Sequence, residues 1–151
     1  LTTVNIGWPA VPEGSPSSLI PWVALDPKSI EKAYEVLEQS GVLGLVSDQD
    51  ARTKGVFVKF FGSFASTPKG AAIFHLNTDA PVMMGACIQK GFQKYQIKLT
   101  AVDTSIKDVE YITQDYTQQL EDYIRQNPEQ YFWFHKRWKT KLDSHVSKNK
   151  K

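Results

Sequence analysis

Five of the eight prolines fall within PAVPEGSPSSLIPWVALDP, residues 9–27. Each proline lacks an amide donor and biases the residue before it toward extended backbone, so regular structure is not expected there. Residues 1–27 read as a Pro-rich leading segment laid over the fold, and helices and strands must come from the rest. At 151 residues that rest suffices for one domain with a real core, and four Trp, six Tyr and eight Phe argue against disorder.

Asp26 and Pro27 suit the cap and first position of a helix whose apolar residues Ile30, Ala33, Tyr34 and Leu37 recur at helical spacing until Gly41. GVLGLVSD then reads as a buried strand ending at Asp48. Thr67 and Pro68 open a second helix, PKGAAIFHLNTD, whose small residues suit packing on a sheet. APVMMGACIQK and YQIKLTAV pair across a Gly91 turn as an antiparallel hairpin. Thr113 is placed to cap a third helix with Tyr116, Leu120, Tyr123 and Ile124 on one face. Asn127, Pro128 and Gln130 restart a helix with a capping box. On that last helix Tyr131, Phe134 and Trp138 form one inward stripe with His135 at its border. Lys136, Arg137, Lys139 and Lys141 point elsewhere, toward an anion or plain solvent, and Trp133 stands one turn before Arg137, a cation–π spacing. This order predicts an α/β fold with a mixed, mainly parallel sheet, flanking helices and a right-handed crossover.

The lone Cys87 excludes an intramolecular disulfide and reads as a buried, inert thiol. No apolar run approaches the roughly 18 residues of a membrane span, and the start lacks the pattern of a signal peptide. Charge is uneven. Residues 136–151 carry +6 and the preceding 135 residues −4, so the basic character belongs to a tail.

SDQDARTKG, residues 47–55, holds the strongest local candidates: Asp48, Gln49, Asp50 and Arg52 at a strand end. Two carboxylates beside an arginine suit acid–base work, a metal, or mutual positioning; a solvated turn with Asp48 or Asp50 capping amides is the plainer alternative. No His or Cys stands at metal-ligand spacing. In FVKFFGSFASTPKG, residues 57–70, Ser66, Thr67 and Lys69 sit at a helix start, where free amides and the dipole favour phosphate, while the phenylalanines suit core packing. No serine lies in a G-x-S-x-G context to form a triad with His75, His135 or His145, and His75 within AAIFHLNTD reads as a packed, hydrogen-bonded histidine.

DQD at 48–50, VKFFGSFASTPKGAAIFHLNTDAPVMMGA at 58–86 and above all PEQYFWFHKRWKTK at 128–141 resemble the C-terminal half of the bacterial lipid A late acyltransferases. The resemblance covers about residues 28–141, leaving 142–151 as a basic tail. It implies a glycerolipid-acyltransferase-like fold, here as an incomplete domain. It also implies transfer of a fatty acyl chain from acyl carrier protein to a hydroxyl of a phosphorylated glucosamine lipid, without a cofactor, at the cytoplasmic face of the bacterial inner membrane. By resemblance Asp48 is the active-site aspartate, Gln49 and Arg52 line the acceptor site, and His135, Arg137 and Lys139 contact phosphate or support the pocket, while Thr67 and Lys69 are phosphate candidates from their place at a helix start alone.

One departure is large. The family's dyad is H-x-x-x-x-D/E, but the residues five past His75, His135 and His145 are Ala80, Thr140 and Lys150. The chain is therefore expected to be a fragment or shortened relative, inactive by itself. The alternatives are acylation of a mannosylated phosphoinositide, or a non-catalytic module held on an anionic membrane by its tail and exposed aromatics. Nucleic acid is disfavoured as a partner because the chain outside the tail is net acidic. On any lipid reading, the aromatic and cationic helix should fold back beside Asp48.

Overall fold

The computed structural model describes residues 3–7 and 27–142. Strand β1 (Thr3–Gly7) is followed by helix α1 (Pro27–Glu38), strand β2 (Leu43–Val46), strands β3 (Val56–Phe60) and β4 (Ser63–Thr67), and helix α2 (Gly70–Thr78). Strands β5 (Val82–Gly91) and β6 (Lys94–Ala101) and helix α3 (Val109–Gln126) complete the regular elements. The main sheet has the order β2-β1-β5-β6, and β3 and β4 form a separate two-stranded sheet.

Every described strand pair is antiparallel, which corrects the expected mainly parallel sheet. The cause is β1, inside the segment read as irregular: Asn5 stands opposite both Leu45 and Met84. Because β2 and β5 each run antiparallel to β1, they share one direction, as a strand–helix–strand crossover requires. They are not neighbours, since β1 lies between them. The other expectations for the leading segment, the Asp26 cap included, fall outside the described residues, as do those for the tail from residue 143 onward.

The strand at 43–46 is also an edge strand rather than a buried one. Only Leu43 of its four residues is buried, and Val46 is half exposed. Helix α1 packs Ala33 and Leu37 on Leu43 and ends as expected at Gly41, whose amide donates to the Val36 carbonyl at 2.7 Å. A Cβ at Gly41 would approach Val36 Cγ1 to 2.7 Å, so the tight exit requires glycine.

The main core lies between α3 and the sheet. Ile112, Tyr116, Leu120 and Ile124 recur every four residues along α3, and Val82, Met84, Ala86 and Ile88 alternate along β5. Phe60, Ala71 and Tyr131 join the same cluster. Helix α3 starts earlier than expected. Asp108 caps it by accepting from the Tyr111 amide at 2.8 Å, which leaves Thr113 fully buried inside the helix, bonded by the Tyr116 hydroxyl at 3.2 Å. Cys87 is half-buried rather than buried.

Two departures matter for the site. The phenylalanine-rich stretch forms hairpin β3–β4 around Phe61 and Gly62, both at positive φ (49° and 77°). Two such residues suit the twist of a two-residue hairpin, but a bulky side chain rarely accepts that backbone. Phe61 is held there by its amide, which donates to Glu121 Oε2 at 2.6 Å, and by the Arg125 guanidinium, 4.9 Å above its ring.

The second departure is the segment 127–141, which forms no helix beyond a 3₁₀ turn at Pro128–Gln130. Gln130 does not close a capping box; its amide bonds both backbone groups of Gln89, accepting at 2.8 Å and donating at 3.1 Å. Trp133 Nε1 turns back to the Pro128 carbonyl at 2.7 Å. The helical stripe is lost with the helix: Tyr131 is buried, Trp138 packs on the core, and Phe134 is 90% exposed. Arg137 stacks on Phe60 rather than Trp133, and Trp133 packs against Tyr131 and Phe61.

Leu120→Ala should destabilise the fold by about 2–5 kcal/mol, read as a fall in urea midpoint at unchanged m-value. A shift under about 0.5 kcal/mol, the scale of surface substitutions, would mean that this leucine is not in the core.

Candidate active site around Asp48

The loop after β2 and the segment 131–140 meet at one corner, so the chain end does fold back beside Asp48. Three contacts join them. The Asp50 amide donates to His135 Nε2 at 2.8 Å, Asp50 accepts from the Thr140 hydroxyl at 2.8 Å and amide at 3.0 Å, and the Tyr131 hydroxyl donates to the Asp48 carbonyl at 3.3 Å. These residues lie more than eighty positions apart in the chain.

The two aspartates occupy opposite electrostatic situations. Burial acts to raise the Asp50 carboxyl, but bonds from Thr140 and from the Arg52 amide outweigh it and hold Asp50 below the ordinary value of 3.8. At Asp48 burial wins and raises the carboxyl, against the opposing pull of its own amide, His135 and Arg137. Asp48 Oδ1 is buried and has no hydrogen-bond partner among the described residues. A carboxylate oxygen in that state is an acceptor in want of a donor, which a bound hydroxyl or amide can supply.

Arg137 corrects the idea that all the basic residues of this segment face outward. It is 1% exposed, donates from Nη1 to the Ser66 carbonyl at 2.8 Å and from Nη2 to Thr67 Oγ1 at 2.6 Å, and stacks 5.2 Å from the Phe60 centroid. Burial lowers its pKa, partly offset by Tyr131, Asp50 and Asp48. The same burial pushes the Tyr131 phenol up to about 12. The phenol therefore holds its proton across the neutral range.

The remaining expected residues divide. Thr67 is buried in the Arg137 bond, so at the end of β4 it does not open α2. Lys69 stands half-buried at the cap position of α2 without a side-chain cap bond. Gln49, Arg52 and Lys139 are exposed, and Arg52 has positive φ (54°) while its carbonyl accepts from Ser66 Oγ at 2.6 Å. His75 is packed and hydrogen-bonded as expected: Nδ1 donates to the Ala80 carbonyl at 2.9 Å. Ala80 is also the position where a dyad carboxylate would stand. A carbonyl orients this imidazole, and the ring faces the core rather than the Asp48 corner. Thr140 and Tyr131 are site residues that no local signal exposes as such, because their partners come from the distant loop. Among the described residues no group of three or more His, Cys, Asp or Glu is arranged to hold a metal, and no helix is long and apolar enough to cross a membrane.

A mixed α/β core that sets a carboxylate oxygen, buried and unbonded among the described residues, near a histidine and an arginine is a site suited to polar substrates. The family pattern of bacterial lipid A biosynthesis acyltransferases matches residues 22–140. The chain belongs to that family. No curated protein matches it.

The Asp50 bonds set an acid dependence. A carboxyl depressed in the folded state adds stability above its unfolded pKa and loses it as pH falls through the folded value. Wild type should thus lose stability below about pH 3.8 faster than Asp50→Asn, seen as converging urea midpoints; parallel curves would exclude the Thr140–Asp50 anchor. Arg137→Lys keeps the charge but loses the fork and should cost about 1.5–3 kcal/mol, measured by the same unfolding.

Proposed function

We propose that this chain supplies the acceptor side of an acyltransferase moving a fatty acyl chain from acyl carrier protein to a hydroxyl of a phosphorylated lipid A precursor at the cytoplasmic face of the inner membrane. The observation that carries the reading is the unpaired, buried Oδ1 of Asp48 at the corner where the PEQYFWFHKRWK segment closes on the DQD loop. In the reaction the acceptor oxygen adds to the thioester carbonyl, the carbon–sulfur bond breaks, and the carrier thiol takes the proton lost by the hydroxyl. Asp48 accepts a hydrogen bond from the acceptor and fixes its orientation. Arg52, Lys69 and Lys139 supply cationic donors for phosphate, with Gln49 beside them. His135 and Arg137 act from behind, since each is engaged with protein backbone, and hold the corner in shape. No histidine of these 151 residues has a carboxylate five positions on, and on this reading the general base is supplied from outside them.

The chain alone should yield no product from acyl carrier protein thioester and lipid A precursor, yet bind the precursor. Arg52→Gln with Lys69→Gln should weaken that binding by about tenfold or more. When a segment carrying H-x-x-x-x-D/E is supplied, acyl transfer should appear, and Asp48→Asn should lower kcat while leaving the urea midpoint in place. Turnover unaffected by Asp48→Asn would remove Asp48 from the reaction. Transfer by the chain alone would remove the need for an outside base.

A further inference from the structure

We infer that the end of the molecule formed by the β5–β6 hairpin tip and the turn at 132–134 is an interfacial anchor, seated in the headgroup layer of an anionic bilayer. The Gln130 amide clamps both backbone groups of Gln89, fastening the two segments at one point. Phe92 lies three residues from that clamp on one side and is 87% exposed; Phe132 and Phe134 lie two and four residues away on the other, at 60% and 90%. Aromatic prongs from two distant segments thus leave the same end of the fold.

The second prong is stiff. Phe132 and Phe134 contact each other with ring centroids 5.9 Å apart, and between them Trp133 is pinned by its bond to Pro128 and by packing against Tyr131 and Phe61. Exposed rings held in place lose little conformational freedom on insertion, and their apolar area is removed from water at the boundary between headgroups and acyl chains. Isolated exposed phenylalanines would need no explanation, but a clustered, braced set does.

Charge selects the occupant. Lys90 and Lys94 flank Phe92, and Lys136 follows Phe134, all exposed; no carboxylate interrupts residues 80–102 or 130–142. Such lysines near a surface strengthen binding to anionic lipid by about fivefold each and leave neutral lipid unaffected. A protein partner with an acidic rim, or a second copy meeting ring to ring, would use the rings differently and is distinguished by the test. The anchor deepens the proposed action on a lipid, resting on that reading for its purpose, but its chemistry concerns bulk headgroups and can be measured with no acceptor present.

The full chain should float with vesicles of phosphatidylcholine and phosphatidylglycerol, much less with phosphatidylcholine alone, and the difference should shrink as salt rises. Phe132→Ser with Phe134→Ser should lower binding at least about tenfold while circular dichroism and thermal midpoint stay unchanged, because both rings are exposed. Lys90→Gln with Lys94→Gln should remove much of the preference for anionic vesicles and leave the residual neutral binding. Failure of the chain to float, equal flotation of the serine double variant, or concentration-dependent self-association abolished by that variant without vesicle binding would each overturn the anchor. Because these vesicles contain no lipid A precursor, loss of acceptor binding with flotation intact would count against the proposed function alone.

Discussion

The guanidinium of Arg137 is the point on which the site's geometry depends. It is almost wholly withdrawn from water and, among the described residues, forms no ion pair. Moving a cation out of water costs several kcal/mol, and here the compensation comes from the Ser66 carbonyl, the Thr67 hydroxyl and the face of Phe60, with Asp48 and Asp50 attracting from further away. These partners belong to hairpin β3–β4, while the arginine belongs to the segment 131–140. Its burial therefore fastens an irregular stretch, whose own backbone bonds are local turns, to a sheet. A lysine, with one point of charge and no planar fork, could not serve carbonyl, hydroxyl and ring together.

Once that stretch is fastened, the difference between Asp48 and Asp50 follows. Two carboxyls two residues apart diverge because Thr140 and the Arg52 amide bond the carboxyl of Asp50, while among the described residues no donor reaches the buried oxygen of Asp48. Asp50 is thereby committed to structure. Asp48 retains unspent hydrogen-bonding capacity at that oxygen, and burial raises its pKa against the pull of its own amide, His135 and Arg137. Neighbouring titratable groups pushed apart in this way are a common mark of a working site.

The same segment divides its aromatic residues by destination. Tyr131 and Trp138 join the core around Phe60, Trp133 bridges to Phe61, and Phe132 and Phe134 are left outward. A helix would have sorted these residues by angle alone. In their absence of helical repeat, sorting is done by individual anchors: the Gln130 clamp on Gln89, the Trp133 bond to Pro128 and the Arg137 bonds to β4.

The three helices and the β5–β6 hairpin were legible in the amino-acid order, because periodicity, caps and turn glycines act over a few residues. Hairpin β3–β4 was not, since its turn places Phe61 where asparagine or aspartate ordinarily signals positive φ, and the contacts that hold it come from α3, sixty residues away. The final segment misled in the opposite sense: its Asn-Pro-x-Gln start satisfies the local rule for a helix, but the glutamine finds a better partner in the backbone of Gln89 on β5. Strand β1 was hidden by the prolines that follow it. Sequence by itself thus determined the local elements, the family signature and the lack of a His dyad, all properties of neighbours in the chain. Only the tertiary structure decided which carboxyl is left without a partner, which arginine is buried and which rings face out, because each depends on desolvation by residues distant in sequence, and desolvation is set by the packed whole.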